Sequence, residues 1–285
     1  MDSILEETKF IMKKYNIRAN KNLGQNFLIN EDVVNKIVDC SQIKKEDLVI
    51  EIGPGLGTLT KCLLEKAGKV ICIELDTKML QILEDRFSLY DNFELINNDV
   101  LKVDLKSIIK TEKESKKINN VKIVANLPYY ITTPIIMKLL EEKLELESIT
   151  VMIQKEVADR LIAIPGQKDT GAITYSVYYY ASSEGILEVP NSSFIPEPEV
   201  TSKVIKLNIR KEPIVKPKDI EKMFKIIKYA FTQKRKTLLN SLTNNKVFDS
   251  KQQGIEVLKS LNINENARPE ELTIEQFKMI ADSLL

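Results

Sequence analysis

The stretch LVIEIGPGLGT, residues 48–58, decides the fold of this chain. Its first half, residues 48–52, is rich in β-branched residues and is typical of a buried strand. Three of the chain's nine glycines follow within five positions, and a helical pattern begins directly afterwards. Glycine lets the backbone pass close to a ligand, and the start of a helix presents free N–H groups. The stretch predicts a strand–turn–helix unit, built either around a ligand or as a tight turn alone.

Further runs of the same kind follow along the chain and are separated by amphipathic stretches of helical length. These runs cover residues 70–75, 93–97, 121–126 and 149–153, and two later ones cover 186–189 and 204–209. Strands that alternate with helices are typical of a parallel sheet covered on both faces. We therefore expect an α/β fold with a doubly wound, mostly parallel sheet.

The chain changes character after Pro213 and Pro217. Only helical spacing is visible beyond them, over residues 220–231, 236–242, 254–261 and 274–284. The sequence thus predicts two domains. Residues 1–211 would form the α/β domain, and residues 212–285 would form a small all-helical domain.

Composition excludes several classes of enzyme and site. The chain contains no histidine, which removes Ser-His-Asp and Cys-His catalysis and all histidine-containing metal sites. Its three cysteines are too far apart in sequence for a redox pair or a four-cysteine metal site. No secretory signal is visible, and the longest uncharged run, residues 123–137, is shorter than the roughly 20 residues that a membrane helix needs. We expect a cytoplasmic protein without a metal or a membrane span.

Polar residues end three successive strands of the predicted sheet. Glu74 lies 21 residues after Gly53, where an open parallel sheet places a carboxylate that can accept from two ribose hydroxyls. Asp99 follows the next strand, and Asn126 ends the one after it. Each residue alone could be an ordinary strand-end cap. Together with the glycine turn, they predict a ligand site at the carboxyl edge of the sheet.

The glycine spacing differs from that of a dinucleotide-binding turn. The pattern G-x-G-x-x-G needs a sixth-position glycine where this chain has Thr58, and Gly57 comes one position early. The sequence also lacks a histidine that could serve a hydride transfer. An NAD enzyme is therefore disfavoured.

The segment Asn126-Leu127-Pro128-Tyr129-Tyr130 is the most informative one. Pro128 holds Leu127 in an extended conformation and removes one donor, so the Asn126 side-chain oxygen and the Leu127 carbonyl can both act as acceptors. Tyr129 would supply a flat wall. Two acceptors beside an aromatic face suit a planar ring with an amino group, such as an extruded adenine. The alternative is a capped strand end whose tyrosines pack into the core.

Basic residues are concentrated in two places, although the net charge of the chain is only +1. Residues 203–239 hold twelve basic and three acidic residues. Lys9, Lys13, Lys14, Arg18 and Lys21 form a second basic stretch. Either could be a solvated surface, but two such stretches beside a predicted site favour nucleic-acid binding.

From about residue 21 to residue 277, the sequence resembles the ribosomal RNA adenine N6,N6-dimethyltransferases, which use S-adenosyl-L-methionine. The segments that carry the resemblance are residues 21–28, 51–60, 73–76, 98–99, 126–132, 154–158, 194–202, 234–238 and 268–270. The resemblance implies a Rossmann-like class I methyltransferase fold.

The resemblance also implies roles for individual residues. The cofactor would contact Asn26, Leu28, Gly53, Glu74, Asp99 and Asn126, with Glu74 on the ribose and Asp99 on the adenine amine. Asn126, Leu127, Pro128 and Tyr129 would hold the target adenine and form the catalytic group, with Phe194 as a second stacking face. Lys234, Arg235 and Lys236 would bind the RNA.

The implied activity is dimethylation of the N6 atoms of two adjacent adenosines in a loop near the 3′ end of small-subunit ribosomal RNA, during small-subunit biogenesis. The partner would be that RNA within a pre-ribosomal particle, and the enzyme would be a monomer. The alternatives are a large-subunit methylase of the macrolide-resistance type and a non-catalytic assembly or transcription factor on the same fold. The segments Asn126–Tyr129 and Arg268–Glu270 favour the small-subunit enzyme.

Overall fold

The computed structural model describes residues 3–20, 23–115, 118–167, 169–233 and 235–285. The chain divides into two compact units, which we describe separately. The first unit consists of residues 1–158 and 184–209, and the second consists of residues 159–183 and 210–285.

A seven-stranded sheet forms the centre of the first unit, and a two-stranded ladder accompanies it. The strands are β1 (Phe27–Leu28), β2 (Asp47–Ile52), β3 (Lys69–Glu74), β4 (Phe93–Asn97), β5 (Asn120–Asn126), β6 (Ser148–Gln154), β7 (Ala181–Val189), β8 (Phe194–Ile195) and β9 (Ser202–Ile209). The order in the large sheet is β4-β3-β2-β5-β6-β9-β7. The first five strands in this order, from β4 through β3, β2 and β5 to β6, pair in parallel with their neighbours, whereas β9 runs antiparallel to β6. The predicted mostly parallel sheet is thereby confirmed.

The helices are α1 (Ile4–Lys14), α2 (Glu31–Cys40), α3 (Thr58–Lys66), α4 (Thr77–Phe87), α5 (Leu105–Glu114), α6 (Thr132–Glu141), α7 (Lys155–Ile162), α8 (Ala172–Tyr180), α9 (Ile220–Ala230), α10 (Leu238–Asn244), α11 (Lys251–Ser260) and α12 (Ile274–Ser283). Side chains cap many of them, as where Asp76 accepts from the Lys78 N–H group at the start of α4. Within the described residues, no helix is long and apolar enough to cross a membrane.

The central strands are buried on both faces. All six residues of β2 are buried, as are five of the seven residues of β5. Their Val- and Ile-rich sequences suit this position, because a strand that helices cover on both sides has no solvent face. The strand order changes direction between β2 and β5, so a crevice opens at their carboxyl ends.

The short ladder of β1 and β8 was not predicted. Phe27 pairs with Ile195, and Leu28 pairs with Phe194, in antiparallel register. The segment before α2 was expected to be a loop throughout, yet its end is held by residues far along the chain. This pairing fixes residues 23–28 beside the carboxyl edge of the sheet.

The second unit has its own helical core. Buried residues in α8, α9 and α12 contribute to it, with Tyr175, Met223 and Phe277 all under 1% exposed. The Tyr175 ring lies edge-on to Phe277 at 5.0 Å between centroids. The boundary expected between residues 211 and 212 differs from this division, because α8 packs its tyrosines among the C-terminal helices.

Candidate active site

A cavity of about 1080 Å³, including its open mouth, lies at the carboxyl edge of the sheet in the first unit. Its walls come from residues 23–28, 51–56, 73–75, 98–100 and 126–131. The residues in its lining that the sequence predicted are Asn26, Leu28, Gly53, Glu74, Asp99, Asn126, Leu127, Pro128 and Tyr129. The structure thus brings together residues that lie up to a hundred positions apart in sequence.

The glycine turn forms the floor of this cavity. Gly53, Gly55 and Gly57 have φ values of +67°, +58° and +81°, which other residues adopt only with strain. A Cβ atom at Gly57 would also lie 2.4 Å from the Phe87 ring. The turn therefore depends on glycine for its shape and leaves its backbone close to the cavity.

Glu74 connects the glycine turn to the neighbouring strand. Its carboxylate accepts from the Gly55 N–H group at 3.1 Å and from the Asp76 N–H group at 2.8 Å. The residue is only 7% exposed, and this burial raises the pKa of the carboxyl, against the two backbone donors that lower it. Each oxygen keeps a second lone pair for a ligand hydroxyl.

Asp99 lies at the next strand end and is partly buried. Its Oδ1 atom accepts from the Leu101 N–H group at 3.0 Å. Leu75, which is 48% exposed, and Val100 supply apolar surface to the same part of the cavity. The arrangement offers one carboxylate edge beside apolar walls, which suits a planar heterocycle with an amine.

The orientation of the Asn126 amide is set by the main chain of residues 23–28, which we call the N-terminal segment. Its Nδ2 atom donates to the Asn26 carbonyl oxygen at 3.3 Å, and the Asn26 side chain in turn donates to the Gly24 carbonyl at 3.1 Å. With the nitrogen so engaged, the Oδ1 atom remains as an acceptor. Among the described residues, nothing donates to the Leu127 carbonyl oxygen either. Two acceptors are thus available beside the cavity.

The turn that follows Asn126 is held by local bonds. Pro128 has φ −59° and ψ 133°, and its carbonyl accepts from the Thr132 hydroxyl at 3.1 Å. The Tyr129 hydroxyl lies 2.5 Å from the Ser202 hydroxyl, which fixes the tyrosine ring at the cavity wall. Burial raises the pKa of Tyr129, so its hydroxyl stays protonated at neutral pH.

Gln25 fastens the N-terminal segment to the sheet edge. Its side-chain amide donates to Asp76 Oδ2 at 2.7 Å, and its Oε1 atom accepts from the Asn20 N–H group at 2.8 Å. Asp76 also caps α4 and donates its own N–H group to Glu74. Sequence reasoning did not assign a role to Gln25, because its partner lies 51 positions away.

Glu51 is a further cavity residue without a predicted role. It is 2% exposed, and its Oε2 atom accepts from the Thr60 hydroxyl at 2.6 Å and from the Cys72 thiol at 3.4 Å. Burial raises the pKa of Glu51 to about 7, although the Thr60 and Cys72 bonds lower it. Glu51 therefore titrates near neutral pH.

The structure does not bring every predicted residue to the cavity. Phe194 is 1% exposed and packs in the hydrophobic core, because β8 pairs with β1. Its ring therefore offers no open stacking face here. Arg235 and Lys236 are exposed residues of the second unit, and Lys234 lies outside the described residues. Lys206 of the basic segment is 7% exposed and donates to Gln42.

Tyr130 also lines the cavity, although the sequence predicts no role for it. It is 56% exposed, and a Cβ atom at Gly24 would lie 3.3 Å from its ring. The ring thus covers the glycine of the N-terminal segment at the mouth of the cavity. The only sequence signal was its place beside Tyr129.

The cavity fits S-adenosylmethionine by the chemistry of its lining. Glu74 supplies a carboxylate for vicinal hydroxyls, and Asp99 supplies one for an exocyclic amine. The glycine turn leaves part of the cavity open that side chains would fill. A Cβ atom at Gly53, for example, would lie 3.8 Å from the Pro128 ring on the opposite wall. Among the described residues, no cluster of acidic or cysteine side chains could hold a metal ion.

Solved structures show which class this fold belongs to. A dimethyladenosine transferase from Plasmodium falciparum superposes with a TM-score of 0.73 and 28% identity, covering 89% of this chain and 95% of that one. The 23S rRNA methyltransferase ErmE superposes with a TM-score of 0.69 over 91% of this chain and 99% of that one; at 23% identity, it shows the fold alone. The class is that of Rossmann-like methyltransferases.

Sequence comparison then gives the family. Residues 16–285 match the family model described as ribosomal RNA adenine dimethylase. Ribosomal RNA small subunit methyltransferase A of Alkaliphilus metalliredigens (strain QYMF) is 50% identical over 279 residues, covering 97% of this chain and 96% of that protein. The protein of the same name from Clostridioides difficile (strain 630) is 46% identical, covering 96% and 94%. The chain belongs to the ribosomal RNA adenine dimethylase family and is an S-adenosylmethionine-dependent methyltransferase, as the sequence predicted.

The raised pKa of Glu51 predicts how a Glu51→Gln variant changes stability with pH. The pKa of Glu51 is about 7 in the folded protein and 4.5 ordinarily. Its contribution to the free energy of unfolding is therefore fully present below pH 4.5 and is lost as the pH rises through 7. Glutamine resembles the protonated form and avoids this loss. Between about pH 5 and about pH 8, the wild type should lose up to about 3 kcal/mol relative to Glu51→Gln in urea unfolding.

Glu84 offers a matched control for this measurement, because it is exposed on α4. A Glu84→Gln variant should follow the wild type at both pH values. The account of Glu51 is contradicted if the free energy difference between the wild type and Glu51→Gln stays constant with pH.

Proposed function

We propose that this enzyme transfers methyl groups from S-adenosylmethionine to the N6 atoms of two adjacent adenosines in a loop near the 3′ end of small-subunit ribosomal RNA. One observation carries the proposal: Glu74, the glycine turn and the segment Asn126–Tyr129 share a single cavity. The names of the relatives from Alkaliphilus and Clostridioides support a small-subunit substrate.

The cofactor would lie between the glycine turn and the apolar surface of Leu75 and Val100. Glu74 would accept from the two ribose hydroxyls, and its hydrogen bond from the Gly55 N–H group keeps the carboxylate in place for this. Asp99 would accept from the adenine amine. When bound, S-adenosylmethionine supplies an electron-poor methyl group on a sulfonium centre.

The target adenine would enter from the other end of the cavity. Its amine is a weak nucleophile, because the nitrogen lone pair is delocalised into the ring. Asn126 Oδ1 and the Leu127 carbonyl would accept hydrogen bonds from this amine, most strongly as the nitrogen becomes tetrahedral. These acceptors would thus stabilise the transition state more than the ground state.

The remaining residues of the turn would orient the base. Pro128 has no N–H group, so it cannot compete for the two acceptors. The Tyr129 ring, held by its bond to Ser202, would stack on the adenine. Because the Tyr129 hydroxyl stays protonated, it would serve as a wall and not as a base. Alignment of nitrogen, methyl carbon and sulfur would supply the rest of the acceleration.

The second unit would help to grip the RNA within a pre-ribosomal particle. Many of its basic side chains are exposed, among them Lys211, Lys218, Lys228, Arg235 and Lys236. Others are engaged within the protein, as where Lys222 donates to the Leu284 carbonyl at 2.5 Å. Exposed lysines and arginines would contact phosphates without selecting a base sequence. In this proposal, the enzyme acts as a monomer in the cytoplasm, the first unit holds the methyltransferase site, and the second unit helps to bind the RNA.

The substrate is tested with ribosomal subunits that lack the modification. Tritiated S-adenosylmethionine should label the RNA of small subunits and not that of large subunits. Labelling of large subunits would favour the macrolide-resistance type instead. Absence of label in both, with cofactor binding intact, would favour a non-catalytic factor and contradict the proposal.

Asn126→Ala is expected to lose turnover while it still binds the cofactor, because the acceptor for the amine is removed. Single-turnover methylation should slow by about a hundredfold or more. Asn119→Ala, at the exposed residue just before the same strand, is the matched control and should react like the wild type. A wild-type rate in Asn126→Ala would refute the role of this amide.

Glu74→Ala is expected to weaken S-adenosylmethionine binding, because the ribose hydroxyls lose a charged acceptor. The dissociation constant from calorimetry should rise by about tenfold or more. Glu84→Ala changes an exposed carboxylate of the adjacent helix and should leave it unaltered. An unchanged constant in Glu74→Ala would remove this residue from the cofactor site.

A further inference from the structure

Helix α1 is fixed to the first unit along one side. Thr8 and Ile11 are buried at 2% and 6% exposure. The Tyr15 hydroxyl at the end of the helix donates to Asp85 at 2.8 Å, and the Arg86 guanidinium pairs with Glu7 at 2.5 Å. These contacts determine which side of α1 faces the solvent.

Phe10 lies on that solvent side. The helical repeat of 100° per residue directs residues 9, 10 and 13 away from the buried face of residues 8 and 11. Phe10 is 64% exposed, the one large apolar side chain of residues 4–14 that is exposed. Its ring is therefore accessible to a binding partner.

The charges around Phe10 are unbalanced in favour of the lysines. Glu7 pairs with Arg86, whereas Glu6, one helical turn before Phe10, keeps its charge while it accepts from the Ser3 N–H group. Lys9 and Lys13 are exposed and have no acidic partner among the described residues. The exposed ring therefore lies between two lysines, with Glu6 as the one exposed acid of residues 4–14 beside them.

We propose that Phe10, flanked by Lys9 and Lys13, is a stacking platform for an unpaired base of the RNA, outside the catalytic cavity. This inference rests on the proposed function for the identity of the RNA. Proteins bind single-stranded nucleic acid through aromatic rings that stack on bases and cations that contact phosphates. The chain continues from α1 to Leu23 and Gly24 in the cavity lining, so the platform belongs to the same unit as the site.

The observations favour RNA over a lipid surface as the occupant. A helix that lies on a membrane needs a continuous apolar face. Phe10 is the one exposed large apolar residue of α1, while Ile4, Ile11 and Met12 pack on the core. A single ring between two lysines suits one base and its phosphates.

The platform can be tested with a fluorescent reporter, because the chain contains no tryptophan. Phe10→Trp introduces one indole at the proposed platform, and Leu89→Trp introduces one at a 95% exposed position of the same unit. We expect titration with protein-free small-subunit ribosomal RNA, and with a short single-stranded oligoribonucleotide, to quench Phe10→Trp and not Leu89→Trp. No quenching in Phe10→Trp, or equal quenching in both, overturns the proposal.

Titration with phosphatidylglycerol vesicles tests whether Phe10 binds a lipid surface instead of RNA. A blue-shifted, enhanced emission of Phe10→Trp with vesicles, in the absence of quenching by RNA, would identify a lipid surface and overturn the RNA platform. Unchanged emission with vesicles supports it. Because these titrations measure no methyl transfer, failure of the proposed activity would be seen separately in the tritium experiment.

Affinity measurements separate stacking from general hydrophobic contact. Phe10→Ala and Phe10→Leu should both weaken RNA binding by about fivefold or more, since neither side chain stacks on a base. Leu89→Ala should bind as the wild type does. Unaltered calorimetry with S-adenosylmethionine shows that each variant is folded. Full affinity in Phe10→Leu would contradict a stacking role.

Discussion

The reversal of strand order beside β2 is the constraint on which the rest of this structure depends. Because β3 lies on one side of β2 and β5 on the other, the two crossover connections leave in opposite directions and open a crevice at the carboxyl edge. The glycine turn can follow β2 only because three of its residues adopt positive φ values. The hydrogen bond from Gly55 to Glu74 then joins the turn to the end of β3.

The crevice has two chemically different ends, and the N-terminal segment connects them. Glu74 and Asp99 place carboxylates at one end, whereas Asn126 and the Leu127 carbonyl place neutral acceptors at the other. Gln25 holds the segment at Asp76 near the first end, and the Asn26 carbonyl orients the Asn126 amide at the second. A segment that looks like a connecting loop thus determines the geometry of both ends, and its pairing with β8 keeps it in place.

The sequence predicts those strands and site residues whose local pattern also determines their position in the sheet. The central strands were predicted to within about a residue, because buried parallel strands require continuous runs of β-branched residues. Glu74 and Asn126 end such runs and Asp99 follows one, which is why the sequence predicts all three at the carboxyl edge, and all three line the cavity. The pairing of β1 with β8 could not be predicted, since two-residue strands carry no periodicity and the paired residues lie 166 and 168 positions apart. Phe194 was expected to face the site and is buried by that same pairing. The raised pKa of Glu51 depends on burial that only the fold creates.

In the proposed mechanism, the cofactor and the target adenine meet at Asn126. The most direct test is a crystal structure of the protein with S-adenosylhomocysteine and an adenosine-containing oligoribonucleotide bound together. The account predicts the ribose on Glu74, the sulfur directed toward the Asn126–Tyr129 turn, and the adenine amine within hydrogen-bond distance of Asn126 Oδ1. A nucleoside bound away from Glu74, or an adenine that approaches the sulfur without contact to Asn126, would contradict it.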